Sequence, residues 1–380
     1  MSLILLGCQT RIVLPVLQAA HAMGSPRVVV FGTQETRQLR WSPWVRRHVL
    51  ADFGDLERCA SQLEELAREQ PQGVIVPCDC PAIRLLHRLG PRVPLATTPL
   101  PTPQVLETLD DKWRFHLLCD ASALPVPAAV CVAGKHQLDF TELAATLGLP
   151  FVVKPTNASG SLGVVVVRSG QDLLDHVVLD RTYGDGPLVV QRYIEGRDID
   201  VDLFAVDGEL RAVTTHEVKG CWMEFTRDPI LEEMASALCR ATGYSGPMNL
   251  DARIEQATGR VYLLESNPRF WASLAMPAAC GLNFLAESLR TSWPAGAQPQ
   301  RPSLARCNRR HPLLRPRDWW RVLADRGSQG RLVRTMLFDP CTLCELAASL
   351  PAMAGRAMQR SWRGVAAAVR SAQEPGALPQ

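Results

Sequence analysis

No stretch of this sequence approaches ~20 consecutive apolar residues, so no membrane-spanning helix is expected. The formal net charge is only +3. That offers a polyanion no bulk attraction, and no nucleic-acid partner is expected. No GxGxxG follows the first apolar run, so no dinucleotide site is assigned. GxxxxGK[ST] is also missing, which rules out the common phosphate loop. Internal repeats are absent. Cysteine is not scarce, at twelve residues, but its spacing is uninformative. Cys341 and Cys344 form a CxxC, yet no second CxxC or histidine pair completes a zinc set. Buried free thiols in a reducing compartment follow, and the expected location is cytoplasmic. The opening MSLILLG is too short and too uncharged for a signal peptide and reads as a strand.

The 380 residues suffice for two or three subdomains around their own cores. Residues 3–7, an amphipathic run closed by Gly24, and RVVVFG read as strand, helix, strand, the opening of a parallel α/β unit. A helix over 55–69, the strand GVIVP and a helix near 81–89 extend it into a small doubly wound domain of about 100 residues. The proline-rich VPLATTPLPTPQ closes it. Residues 105–120 read as one helix. Strands at PFVVKP, GVVVV and PLVVQRYI follow, with helices over 139–147 and near 171–178. Strands 198–206 and 210–218 form a hairpin turning at Asp207-Gly208. Helix 229–242 and strands 247–255 and 260–265 complete the pattern. From about 295 the chain becomes rich in proline and arginine, with Arg301, Arg306, Arg309, Arg310, Arg315 and Arg317 preceding Trp319 and Trp320.

In VYLLESNPRFW, residues 261–271, an apolar strand runs directly into an acid, an amide and a guanidinium. Alternate strand residues share a face, so Glu265, Asn267 and Arg269 crowd together there. With Asp251 on the preceding strand they make an oxygen-rich cluster suited to Mg²⁺, which takes few protein ligands and completes its shell with phosphates and water. The alternative is a plain pairing of Glu265 with Arg269. In FVVKPTNASGSLGVVVV, Lys154 ends an apolar strand, where a lysine is costly. The loop with Asn157, Ser159, Gly160, Ser161 and Gly163 is small enough for backbone N–H groups to approach an anion. Lys154 would add a mobile positive charge, although a hairpin with a snorkelling lysine explains the same residues. Lys112, in LDDKWRF, reads alone as a solvated helix residue. Gln191, Tyr193 and Ile194 end a strand whose backbone could meet a purine edge, with Asp198 near ribose hydroxyls.

Taken in order, DDK, VVKP…SGSLGV, VQRYIEG.D and NLDAR…LLESNPR resemble the ATP-grasp superfamily over roughly residues 1–290. The resemblance implies an α/β ATP-grasp fold. An N-terminal doubly wound domain (1–104) would precede the two grasp lobes (105–186 and 187–294) and a mainly helical Arg/Pro-rich extension (295–380). It implies that Lys112 and Lys154 contact ATP phosphates under the loop of Ser159, Gly160, Ser161 and Gly163. Gln191, Tyr193 and Ile194 would line the adenine slot, and Asp198 would hold ribose. Asp251, Glu265 and Asn267 would ligate Mg²⁺ or Mn²⁺. Arg269 would face the substrate, making it with Lys154 the catalytic pair. The ESNPR ending is similar to that of the carbamoyl-phosphate synthetase and biotin carboxylase side. The missing glycine run and the missing biotinyl MKM segment speak against a biotin carboxylase.

The implied activity is ADP-forming ligation of a small carboxylate, plausibly an amino acid, to an amine through an acyl phosphate. Phosphoryl transfer of this kind is mostly positioning and charge neutralisation. Bicarbonate activation is the rival enzyme reading, and a nucleotide-binding scaffold the rival from another class. Weaker candidates are Asp79 at a parallel-strand end, and His216, Glu217, Lys219 and Arg227 as loop charges around an acceptor pocket. Homodimers are common among such proteins. The basic tail could cap the grasp lobes, or dock an acidic partner or an anionic membrane surface.

Overall fold

The computed structural model describes residues 2–24, 28–158, 160, 162–294, 296–315, 324–325 and 327–348. Three sheets organise them. The first is parallel, in the order β3-β2-β1-β4-β5. It is built from β1 (Ser2–Gly7), α1 (Thr10–Ala22), β2 (Val28–Gly32), β3 (Val45–Leu50), α2 (Leu56–Glu69), β4 (Gly73–Pro77), α3 (Cys80–Leu89) and β5 (Ala96–Thr97). From Leu3 onward β1, and all of β2, are apolar because helices cover both faces. The proline-rich connector is thus not wholly a linker: Ala96 and Thr97 pair with Val74 and Ile75 as the edge strand.

The expected single helix over 105–120 is broken. It forms α4 (Pro103–Asp110) and α5 (Lys112–Ala121). Asp111 is extended between them, and its carboxylate accepts from the Trp113 and Arg114 N–H groups. This N-cap places Lys112 at the first position of a new helix. An antiparallel sheet follows in the order β6-β9-β7-β8. Its parts are β6 (Ala129–Val132), α6 (Phe140–Leu147), β7 (Phe151–Pro155), β8 (Val165–Val167), α7 (Gly170–Leu173) and β9 (Leu188–Arg192). Phe151, Val153, Leu188 and Val190 pack into one core with α6 and α7. Strand alternation therefore turns Lys154 and Gln191 to the opposite face.

The third sheet is antiparallel, β14-β13-β10-β11-β12-β15. It comprises β10 (Gly196–Val206), β11 (Glu209–Lys219), β12 (Trp222–Thr226), α8 (Pro229–Thr242), β13 (Gly246–Glu255), β14 (Val261–Asn267), α9 (Ala275–Ala279), α10 (Phe284–Ser288) and β15 (Arg306–Asn308). The hairpin turns at Asp207 and Gly208, both at positive φ of 50° and 82°, as a tight two-residue turn requires. Ile199, Val201 and Leu203 bury one face under α8. The alternate residues Asp198, Asp200 and Asp202 take the other.

The expected boundary at 294/295 falls inside this sheet, since Cys307 pairs with Met223. Arg306, Arg309 and Arg310 stay exposed, while Arg301 is half-buried. Arg301 donates to Glu232, and Arg306 lies 4.9 Å above the Trp222 ring. A last helix, α11 (Ser328–Phe338), packs on α1 and α9 through Leu332, Ala22, Ala275 and Ala279. Arg317, Trp319 and Trp320, on which the docking expectation rests, lie outside the described residues. Among the described residues no helix is long and apolar enough to cross a membrane.

Candidate active site

The site forms where the four-stranded sheet meets the end of β14. Asp251 stands opposite Glu265, and Asn249 opposite Asn267, across the β13–β14 pair. The register slips between Asp251 and Ala252, leaving Leu264 as an extra residue. Such a bulge frees a backbone group from the ladder, and the Leu264 carbonyl accepts from Lys154 Nζ at 3.1 Å. Lys112 Nζ lies 3.3 Å from Glu265 Oε2 and donates to the Ala158 carbonyl of the loop. Its helix start is tied to the same loop by Lys112 N–H to Thr156 O, 3.0 Å. Read alone Lys112 is a surface residue, but it is 9% exposed. Arg269 is buried and donates to Asn267 Oδ1 at 2.9 Å and to the Phe270 carbonyl at 2.7 Å. The simple Glu265–Arg269 pair is therefore not formed; the lysines take Glu265 and the amide takes the arginine.

Electrostatics follow from burial. Desolvation lowers the Lys154 pKa to about 8, against the pull of Glu265. Burial and the facing Glu265 push Asp251 well above the usual carboxylate range. Burial works the same way on Glu265, but Lys112 and Lys154 hold it below its ordinary value. Of the facing pair, Asp251 is thus the one whose proton affinity is raised and Glu265 the one whose affinity is lowered. Two facing carboxylates with an amide oxygen beside them suit a hard divalent cation. Among the described residues no three His, Cys, Asp or Glu side chains converge on one point. A cation here would take its remaining ligands from phosphate and water.

Gly160 sits at φ +70°, and a side chain there would strike the Arg11 guanidinium. Gly163, at φ +71°, abuts Pro155, and its carbonyl accepts from the Tyr183 hydroxyl at 2.7 Å. Ser159 and Ser161 lie outside the described residues. Gln191 and Ile194 are buried at the end of β9. The Tyr193 hydroxyl accepts from Arg253 at 3.1 Å. Asp198 is not gathered into the cluster: its side chain is 73% exposed and pairs with Arg253 at 2.7 Å.

Asp79 requires correction as a substrate contact. It is fully buried, and its carboxylate accepts from the N–H groups of Cys8 (2.7 Å), Gln9 (2.9 Å) and Ala82 (3.0 Å). It caps α3 and fastens the β1–α1 loop. Asp79→Ala is expected to cost about 2–4 kcal/mol, measured as a lower urea midpoint; an unchanged midpoint would refute this structural role. Lys219 and Arg227 are exposed partners of Glu224 and Glu232, and the largely buried Glu217 pairs with Arg197.

His216 is not a loop charge. It lies buried on β11, with Nε2 3.2 Å from Asp200 and Nδ1 3.3 Å from Asp202. Burial opposes its charge, yet the two carboxylates raise its pKa. Burial pushes Asp202 up to about 7, with His216 pulling the other way. Asn249 links this group to the cluster, donating to Asp202 Oδ1 at 3.1 Å and accepting from Asn267 at 3.2 Å. Asp200, Asp202 and Asn249 escaped the sequence reading; the alternation D-I-D-V-D along β10 is the signal that marks the two aspartates.

A cavity of ≈1380 Å³ opens from the cluster. Asp200, Asp251, Glu265, Asn267 and Arg269 line one end, while Arg11, Ile12 and Pro15 of α1 and Leu314, Met336 and Leu346 of the C-terminal segment line the other. Lys112, Lys154 and Gln191 are not among its walls. The cavity therefore lies beyond the two lysines, on the far side of the carboxylates.

Sequence and structure comparisons agree with this architecture. The family described as "ATP-grasp in the biosynthetic pathway with Ter operon" matches residues 185–306. The D-ala D-ala ligase C-terminus family matches residues 120–227. The D-alanine–D-alanine ligase of Chromohalobacter salexigens is 26% identical over 202 residues, 47% of this chain and 63% of that protein. D-alanine–D-alanine ligase B of Xanthomonas campestris pv. campestris is 31% identical, over 41% of this chain and 54% of that protein. The arginine-specific carbamoyl phosphate synthase large chain of Bacillus subtilis is 24% identical over 46% of this chain, but this chain spans only 18% of its length. The chain thus spans less than two thirds of these relatives.

Among solved structures, the L-amino acid ligase of Bacillus licheniformis superposes with a TM-score of 0.56 at 18% identity, covering 75% of this chain and 72% of that one. An ADP complex of N5-carboxyaminoimidazole ribonucleotide synthetase gives 0.58 at 17% identity, covering 76% of each. The chain has the ATP-grasp fold. Over both lobes its sequence is also similar to ATP-grasp enzymes.

Proposed function

We propose that this protein is an ATP-dependent, ADP-forming ligase that joins a small carboxylic acid to an amine through an acyl phosphate. The observation that carries this reading is the juxtaposition of Lys112, Lys154, Asp251, Glu265, Asn267 and Arg269 at the mouth of a separate cavity. Lys112 and Lys154 would hold nucleotide phosphates under the Gly160 loop, and Gln191, Tyr193 and Ile194 would border the base. Asp251, Glu265 and Asn267 would hold Mg²⁺, which when bound supplies charge neutralisation for the phosphates. Arg269 would bind the donor carboxylate and, with the lysines, offset the charge that builds up during phosphoryl transfer. Asp198 remains a candidate for ribose only if it leaves Arg253.

The relatives' names fit this reading, since they include ligases that join amino acids. The test is phosphate release from ATP and Mg²⁺ with pooled small carboxylates, with and without hydroxylamine, beside a bicarbonate lane. A hydroxamate in one carboxylate pool is the expected result. Turnover confined to bicarbonate would overturn the reading.

A further inference from the structure

We infer that Asp200 receives the amino group of the acceptor substrate, as an ammonium ion, and that His216 and Asp202 hold it in place. The inference rests on the ligase reading and names a specificity residue within it. Asp200 lines the cavity and keeps 31% of its side chain exposed. In register it stands between Asp251 of β13 and His216 of β11. Cross-strand neighbours are about 5 Å apart. An ammonium on Asp200 would therefore sit one strand away from the carboxylates beside which the acyl phosphate must form; the Asp200 carboxylate takes one of its protons, the freed amine attacks the acyl carbon, and phosphate leaves as the amide bond forms.

Asp200 is not a third member of that carboxylate pair, because its Oδ2 is directed to His216 Nε2. The remaining charge on the cavity wall argues the same way. Arg11, Arg269, Arg309 and Arg310 line it, and each would repel an ammonium. Glu345 also lines it, but it belongs to the C-terminal segment that Thr342 ties to Gln18 of α1, on the wall opposite the strands. His216 and Asp202 are buried at 2% and 0% exposure. A buried ionic pair is a weak source of stability, and here its outer nitrogen fixes the rotamer of the one strand carboxylate left to face the cavity. His216 is thus a positioning residue.

Hydroxylamine separates these roles, because at neutral pH it attacks as an uncharged nucleophile and has no need of an ammonium site. The wild-type chain, given ATP, Mg²⁺, pooled carboxylates and pooled α-amino acids, is expected to make both amide and, with hydroxylamine, hydroxamate. In Asp200→Asn the ratio of amide to hydroxamate is expected to fall about 100-fold, the scale of losing a charge-assisted contact. His216→Leu should lower the same ratio about tenfold by raising KM for the amine, and His216→Gln, which keeps an N–H for Asp200, should restore most of it. Should Asp200→Asn fail to fold, the His216 pair carries the same ratio. Parallel loss of amide and hydroxamate in these variants would overturn the assignment and leave the ligase reading standing. Neither product from the wild-type chain would overturn the ligase reading, and the role of Asp200 with it.

Discussion

Glu265→Gln is expected to leave a folded chain whose ATP-dependent phosphate release is at least ~1,000-fold slower. The substitution keeps the size of the side chain but removes the charge between Lys112, 3.3 Å away, and the facing Asp251. Without it the donor set for a divalent cation falls from two carboxylates and an amide to one carboxylate and two amides. Glu265→Ala adds a folding cost, because Lys112 and Lys154 would be left buried without their shared counter-charge. Breaking such a group costs about 3–5 kcal/mol. Phosphate release by the Gln variant, with circular dichroism to verify folding, is the measurement. Full turnover by the Gln variant would show that Glu265 does not hold the cation on which phosphoryl transfer depends.

Lys154→Met is expected to weaken nucleotide binding about 100-fold, or ~2.7 kcal/mol, by removing a desolvated cation from the phosphates. Calorimetric titration with ADP and Mg²⁺ measures this. The wild-type lysine also sets a pH dependence whose sign can be worked out. Its pKa in the folded chain is lowered to about 8, from an ordinary 10.5, by burial. Between those values the unfolded chain binds more protons than the folded one, so stability without nucleotide rises with pH across that window. Nucleotide phosphates favour the charged amine, so above about pH 8 binding must take up a proton and affinity falls. Lys154→Met is expected to lose both slopes. A nucleotide affinity independent of pH from 7 to about 9.5 would show that Lys154 is not at the phosphates.

Much of the fold was legible because its signals are local. Helix 229–242 and the hairpin at Asp207-Gly208 are written in apolar period and turn chemistry. The N-cap break at Asp111 was not, since LDDKWRF satisfies helix periodicity on both sides of it. That break turns Lys112 from a surface charge into a buried partner of Glu265, which no reading of its own segment could reveal. The cluster at Asp251, Glu265 and Asn267 was legible from polar residues closing an apolar strand. The bulge at Leu264 was invisible, because one extra residue leaves no mark in composition. His216 was misread for a related reason: its partners Asp200 and Asp202 lie on the neighbouring strand, and pairing across strands is a property of register.

The C-terminal segment bears on how the molecule comes together. Gln18 bonds to Thr342, Ser42 to Asp339, the Gln38 carbonyl to Cys341, and the Ala22 carbonyl to Arg331. The helix α1 thus meets partners that are made 309 and 324 residues after it. Until then its Ala22 flank lacks the cover of Leu332. Contacts of such sequence separation close late, so the parallel sheet can form early during synthesis while the cavity wall cannot. Nascent chains halted before about residue 330 are therefore the ones that would need a chaperone's attention.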